Sequence, residues 1–284
     1  MELLNFSTAE TARFNKALTF VNSKEIDIDL LAPATLIVKT ENYEDECEQL
    51  TPYYACLGVE NWNARMVYNP VRGGNHKILV NKGAISGLSY IHSMVTELVH
   101  LVNFSRYGAD HGNVYRFDPE MAIGQYYYEF LLWTKFQAMK IATRAHALLS
   151  WHEVNGDDPP ADGCYRFAAV DLASTGLIES LERMRQAADI AVWREGLWTV
   201  LEEMVLYFGR LTFYQQEPRP WEVDERFPQA GIEEVVGLEN SLIFYALLQQ
   251  TGEYDQWLEQ KGNFRKVIVA MQEQGRQLFK ATGD

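Results

Sequence analysis

The stretch "VTELVHLVNF", Val95 to Phe104, decides how the first half of this chain is read. At 100° per residue Leu88, Ile91, Val95, Leu98 and Val102 fall on one stripe, which predicts an amphipathic helix over residues 84–104 with that stripe against a core. Beside the stripe runs a polar row, His92, Thr96 and His100, with Ser93, Glu97 and Asn103 next to it. A histidine at position 96 would give two imidazoles one turn apart with a carboxylate between them. Zinc chemistry uses that arrangement: neutral nitrogen ligands on one face and a base within reach of the bound water. Thr96 stands there instead, and a hydroxyl does not replace an imidazole. The same row also fits a helix that lines a cleft with a satisfied polar edge. On these residues alone both readings stay open.

The surroundings place this helix in a mixed architecture. Ser7 followed by Glu10 predicts a capped helix over residues 8–22. "ATLIVKT" (34–40), "YYACLGVE" (53–60), "ARMVYNP" (64–70) and "HKILVNK" (76–82) read as strands, punctuated by Pro, Gly and Asn. "ENYEDECE" (41–48) carries five acids and no base, and reads as a solvated loop or the start of a helix. After the 84–104 helix, "SRYGADHGN" reads as a loop. Asp118-Pro119-Glu120 then opens a second long helix that reaches Trp151. "EVNGDDPPADG" (153–163) is the linker signal of the chain, and everything beyond it carries helical periodicity. Strands confined to the first third, with helices dominating the rest, predict an α+β fold.

Composition narrows the partners. The 284 residues carry a net charge of −14, which argues against a nucleic-acid backbone or an anionic membrane as main partner. Three cysteines, Cys47, Cys56 and Cys164, make no CxxC pair and no disulfide framework, which fits a reducing compartment. The N-terminal segment has no signal-peptide pattern and no apolar run approaches a membrane span, so the expected location is the cytoplasm. Phosphate-cradling and nucleophile-elbow motifs are missing. His146 and His152 lack a metal-ligand spacing on one face.

The order of the pieces resembles the small zincin-type metallopeptidases of phages and mobile elements. In that family strand-like runs lead to the motif helix, and a second long helix carries a Trp-x-Glu-Phe-x-Ala pattern whose Glu is the third metal ligand. Here the matching run is Trp133-Thr134-Lys135-Phe136-Gln137-Ala138, and the likeness covers residues 50–145. The resemblance implies ligand positions at Thr96, His100 and Lys135, with the base at Glu97. Only a vestigial base, Glu97, and a vestigial ligand, His100, are retained, while Thr96 and Lys135 replace the other two ligands. The alternative third ligand, a histidine six residues after the second, is also missing: Arg106 occupies that position.

Helical angles place Lys135 on an apolar face with Tyr128, Leu131, Ala138, Met139 and Ala142. Glu129 falls on a mixed, more exposed face with Trp133, Gln137 and Lys140. A lysine on an apolar face needs a partner or a route to water. Under the resemblance Glu97 is that partner, and the ammonium stands in for the charge of the metal.

The expectation is therefore a zincin-like α+β domain over residues 1–152 with a small sheet in the first third, followed by a helical extension over 153–284. The expected role is a catalytically inactive, macromolecule-binding module of phage or prophage origin. It would have no cofactor and an unidentified protein partner, and oligomerisation is left open. Two other classes stand beside it. One is a metal-dependent hydrolase with zinc on a remodelled ligand set: His100, His92 or a loop His111, and a carboxylate such as Glu129. The other is a structural or assembly protein.

Overall fold

Ser7 starts the first helix as its sequence predicts. In the computed structural model the Glu10 N–H donates to Ser7 Oγ, and the Ser7 N–H donates to the Glu10 carboxylate at 2.6 Å, closing a capping box on α1 (Thr8–Leu18). The structure describes residues 1–30, 34–54, 63–67, 69, 75–85, 87–111, 125–159, 175–214 and 227–282. The chain divides into two units, Met1–Arg166 and Phe167–Asp284, and helix α4 runs past the expected boundary at residue 152 to Asn155.

In the first unit four strands form one sheet: β1 (Glu2–Leu4), β2 (Thr35–Thr40), β3 (Ala64–Val67) and β4 (His76–Asn81), in the order β1-β2-β4-β3. β1, β2 and β4 are parallel, and β3 is antiparallel to β4 at the margin. Ile37 lies beside Ile78 and Met66 opposite Ile78, so these three share one face. Val38 and Leu79 share the other. That second face packs on Tyr43 and Cys47 of α2 (Tyr43–Tyr54), with Val67 beside them. The first face is covered by α3 (Ser89–His111), which packs on β3, on β4 and most extensively on α4 (Tyr127–Asn155).

Two expectations need correction. The run 53–60, expected as a strand, begins inside α2, and residues 55–62 lie outside the described residues. The helix forms there because Glu44, Asp45 and Glu46 occupy its first turn, where acids complement the helix dipole, and because Tyr43 and Cys47, one turn apart, are both buried. The 84–104 helix is shifted. A short 3-10 turn (Lys82–Ala84), capped by Asn81, precedes it, and α3 runs from Ser89 through the expected loop to His111. Tyr107 carries it onward: this ring is fully buried, stacks on Phe130 at 4.2 Å and packs edge-on against Tyr127. The expected helix start at Asp118-Pro119-Glu120 lies outside the described residues.

The second unit is helical among its described residues: α5 (Thr175–Arg185), α6 (Ile190–Tyr214), α7 (Gln229–Val235), α8 (Leu238–Gln250) and α9 (Tyr254–Thr282). The crowded aromatic residues of α6 are mainly core, with Trp193, Tyr207 and Phe208 all buried and Phe208 stacked on Tyr245 at 4.3 Å. Gly275 lets α9 approach α7 closely, since a Cβ there would collide with the Val235 carbonyl oxygen. The architecture is thus mixed α+β, mostly helical, with a small sheet in its first part. Among the described residues no helix is long and apolar enough to cross a membrane.

Candidate functional site

Glu97 and His100 both sit in the seam where α3 meets the sheet and α4. The seam is antiparallel, since His100 meets Thr134 while His92, two turns earlier, meets Thr143. At the sheet, Glu97 Oε2 accepts the Met66 backbone N–H at 2.7 Å. Met66 lies on the marginal strand β3, and its N–H turns away from β4 toward α3. Glu97 therefore satisfies a backbone donor that the ladder leaves over. The side chain is only 1% exposed. Burial pushes its pKa up to about 8, against the smaller opposing pulls of the Met66 N–H and the Arg65 charge. At neutral pH Glu97 is mainly a carboxylic acid. Burial also raises the pKa of Tyr43 on α2, with smaller contributions from Cys47 and Glu97.

His100 is held from α4. Its Nδ1 lies 3.2 Å from Thr134 Oγ1, and Asn103 Nδ2 donates to the same hydroxyl at 3.0 Å. Burial, followed by the positive charge of Lys135, pushes the His100 pKa down to about 3, so the ring is neutral. Thr96 turns back on its own helix: its hydroxyl donates to the His92 carbonyl at 2.9 Å.

The structure brings all four expected positions, Thr96, Glu97, His100 and Lys135, to this seam or its border, but pairs them differently. The expected Glu97–Lys135 contact is corrected: Glu97 is held by Met66, and the Lys135 charge is felt at His100. On α4 the apolar grouping around Lys135 holds for Leu131, Ala138 and Ala142, which are buried, and the exposed placing of Glu129 is corrected. Glu129, Trp133 and Gln137 are buried, while Tyr128 is exposed and Lys135 half-buried. The Glu129 face is drawn in by Trp133, which is buried beside Phe130, and by the buried Phe136. Glu129 is consequently buried, and its charge raises the pKa of Tyr107, behind the burial effect. His111 is the last residue of α3, not part of a loop, with its ring stacked on Tyr107 at 4.3 Å.

Thr96 gives its hydroxyl to a carbonyl, His100 Nδ1 pairs with Thr134, and a lysine charge acts on the remaining imidazole. Among the described residues, which include all six histidines, no three His, Cys, Asp or Glu side chains converge as ligands would.

Two polar pairings in the same unit escaped the sequence reading. His92 Nε2 lies 3.4 Å from Thr143 Oγ1, and its ring meets that of His146 edge-on at 6.1 Å. A pairing of residues on different helices leaves no periodic signal within either. Glu25 forms ion pairs with Lys140 (2.8 Å) and Arg144 of α4. The four-residue spacing of those two cations was the signal available for it. Comparison with protein-family models, with curated proteins and with solved structures returned no match.

Proposed function

We propose that this chain is a degenerate zincin-like protein that has left metal catalysis and works by binding another macromolecule. The observation that carries this reading is the state of the two retained side chains. A hydrolytic zinc site needs an ionised base and a free imidazole lone pair. Glu97 is instead buried, with one oxygen on the Met66 N–H and its pKa raised by burial, the Thr96 hydroxyl is given to the His92 carbonyl, and a lysine charge reaches His100. The resemblance on "TELVH" and "WTKFQA" supplies the ancestry and a phage or prophage origin, and the cysteine usage favours a cytoplasmic setting. The acidic charge favours a protein partner over a nucleic-acid backbone.

The test is zinc binding by calorimetry and elemental analysis. Protein prepared without chelator should carry well under one equivalent of zinc. Thr96→His with Lys135→Glu should create zinc affinity that neither single change gives. Stoichiometric zinc on the unmodified protein that survives dialysis would favour the metal-dependent hydrolase instead. If the double variant stays metal-free, the ancestry argument fails.

A further inference from the structure

Helix α8 is apolar on both sides. Its inner face, Phe244, Tyr245 and Leu248, is buried in the second unit. On its outer face Leu238, Leu242, Ile243 and Ala246 line an open groove of about 530 Å³, and Ile243 is 48% exposed. Leu238, Leu242 and Ala246 recur every four residues, so they form one ridge about 12 Å long. A helix that is apolar all round is ordinarily buried all round, and here the outer ridge is open. The rim of the groove is acidic. Residues 229–250, which span α7 and α8, contain Glu233, Glu234 and Glu239 and no Lys, Arg or His. Glu234 is paired with Arg185. Glu233 spends one carboxylate oxygen on the Leu238 N–H at 2.7 Å, an orphan donor of the first turn of α8, and its other oxygen remains at the rim. Glu239 has no ion pair among the described residues, and both rim acids are exposed.

We propose that this face of α8 docks an amphipathic helix of a partner protein, one with apolar side chains at i, i+3 or i+4 and i+7 and with Lys or Arg beside them. The apolar stripe packs on the ridge at Leu242 and Ile243, and the cations meet Glu233 and Glu239. An extended peptide has no comparable seat, because the backbone groups of α8 are spent within the helix and offer no ladder. A second copy of this chain is a poor occupant, because a two-fold contact sets the same acids against each other. The inference gives the macromolecule-binding role a surface and a class of partner. It is drawn from the second unit alone, so it stands apart from the zinc question.

The probe is a synthetic helical peptide of about four turns, with Leu at that spacing and Lys beside it, carrying a fluorophore and titrated with the full-length protein by anisotropy. It should bind saturably. The same peptide with Glu in place of Lys, or with Ser in place of Leu, should bind about tenfold more weakly. Ile243→Lys, at an exposed position, should cut the affinity of the Lys peptide about tenfold. Glu239→Lys should weaken the Lys peptide and strengthen the Glu peptide, an exchange that damage to the fold alone does not produce. No saturable binding by the wild type, equal affinity in Ile243→Lys, or equal affinity for the three peptides overturns the proposal. So does a dimer in sedimentation that Ile243→Lys dissolves, since the face then belongs to a second copy. Stoichiometric zinc on the unmodified protein would sink the reading of the seam, whereas any of these outcomes sinks only this surface.

Discussion

Glu25 and Glu97 are both withdrawn from water in the first unit, yet they are held in opposite ways. Glu25 faces two cations of α4. Burial alone would raise its pKa, but the charge of Lys140 and the bonds and charge of Arg144 outweigh it and hold the group below its ordinary value. Glu97 has a single backbone N–H and the weaker pull of Arg65, and burial wins. The difference shows what each acid is for. Glu25 is an ionised clamp between the segment before β2 and helix α4. Glu97 is a buried acceptor for an N–H that the sheet leaves over.

The largest expected effect comes from making Glu97 permanently neutral. Its folded pKa lies above the unfolded value of about 4.3, so its stabilising share is fully present below that pH. As pH rises the unfolded protein releases the proton first, and stability falls until the folded group ionises near pH 8. Glu97→Gln keeps an acceptor for Met66 and removes this loss. Urea unfolding across the window should show the variant gaining on wild type with rising pH, by on the order of a few kcal/mol in total. A constant difference would mean that Glu97 is ionised throughout and that the contrast with Glu25 is false.

Glu25 should respond with the opposite sign. Its folded pKa is depressed, so its contribution is present above the unfolded pKa and is lost as pH falls through the folded one. Glu25→Ala should cost about 1–3 kcal/mol near neutral pH, because it leaves Lys140 and Arg144 facing each other partly desolvated. The cost should shrink in acid, as read from unfolding midpoints at descending pH. An unchanged midpoint at neutral pH would reduce this clamp to a surface contact.

The smallest effect is the sharpest. Since Glu97 is bound by Met66 and the Lys135 charge falls on His100, Glu97→Gln and Lys135→Met should be additive in unfolding free energy within about 0.5 kcal/mol. A larger coupling would restore the direct pair that the apolar-face reading of α4 suggested.

That reading was half right: Leu131, Ala138 and Ala142 are buried, but so is the face of Glu129, Trp133 and Gln137. Helical angles group side chains by direction but cannot say which direction is inward. On α4 both groupings contain large side chains. Trp133 is seated beside Phe130, which in turn packs on Phe104 and Tyr107 of α3, a cluster no single helix reveals. Where local chemistry is self-contained, the reading succeeded: the Ser7–Glu10 capping box forms, the "TLIVKT" and "HKILVN" strands pair, and the α3 stripe of Ile91, Val95, Leu98 and Val102 is buried. The polar row of the site was visible for the same reason. Its partners were not, because Met66, Thr134 and Thr143 reach it from other elements, and one of them offers only a backbone N–H.

The sheet also has a bearing on how the protein is made. Glu2 pairs with Leu36, and Thr35 pairs with His76, each in parallel, so neither pairing can be closed by a tight hairpin. Each must pay the entropy of a long loop before its ladder forms. During synthesis β1 and β2 leave the ribosome well before β4, which completes the central ladder. In that interval their apolar edges stand open to other molecules. The first unit of a nascent molecule should therefore be most prone to aggregate before His76–Asn81 emerges.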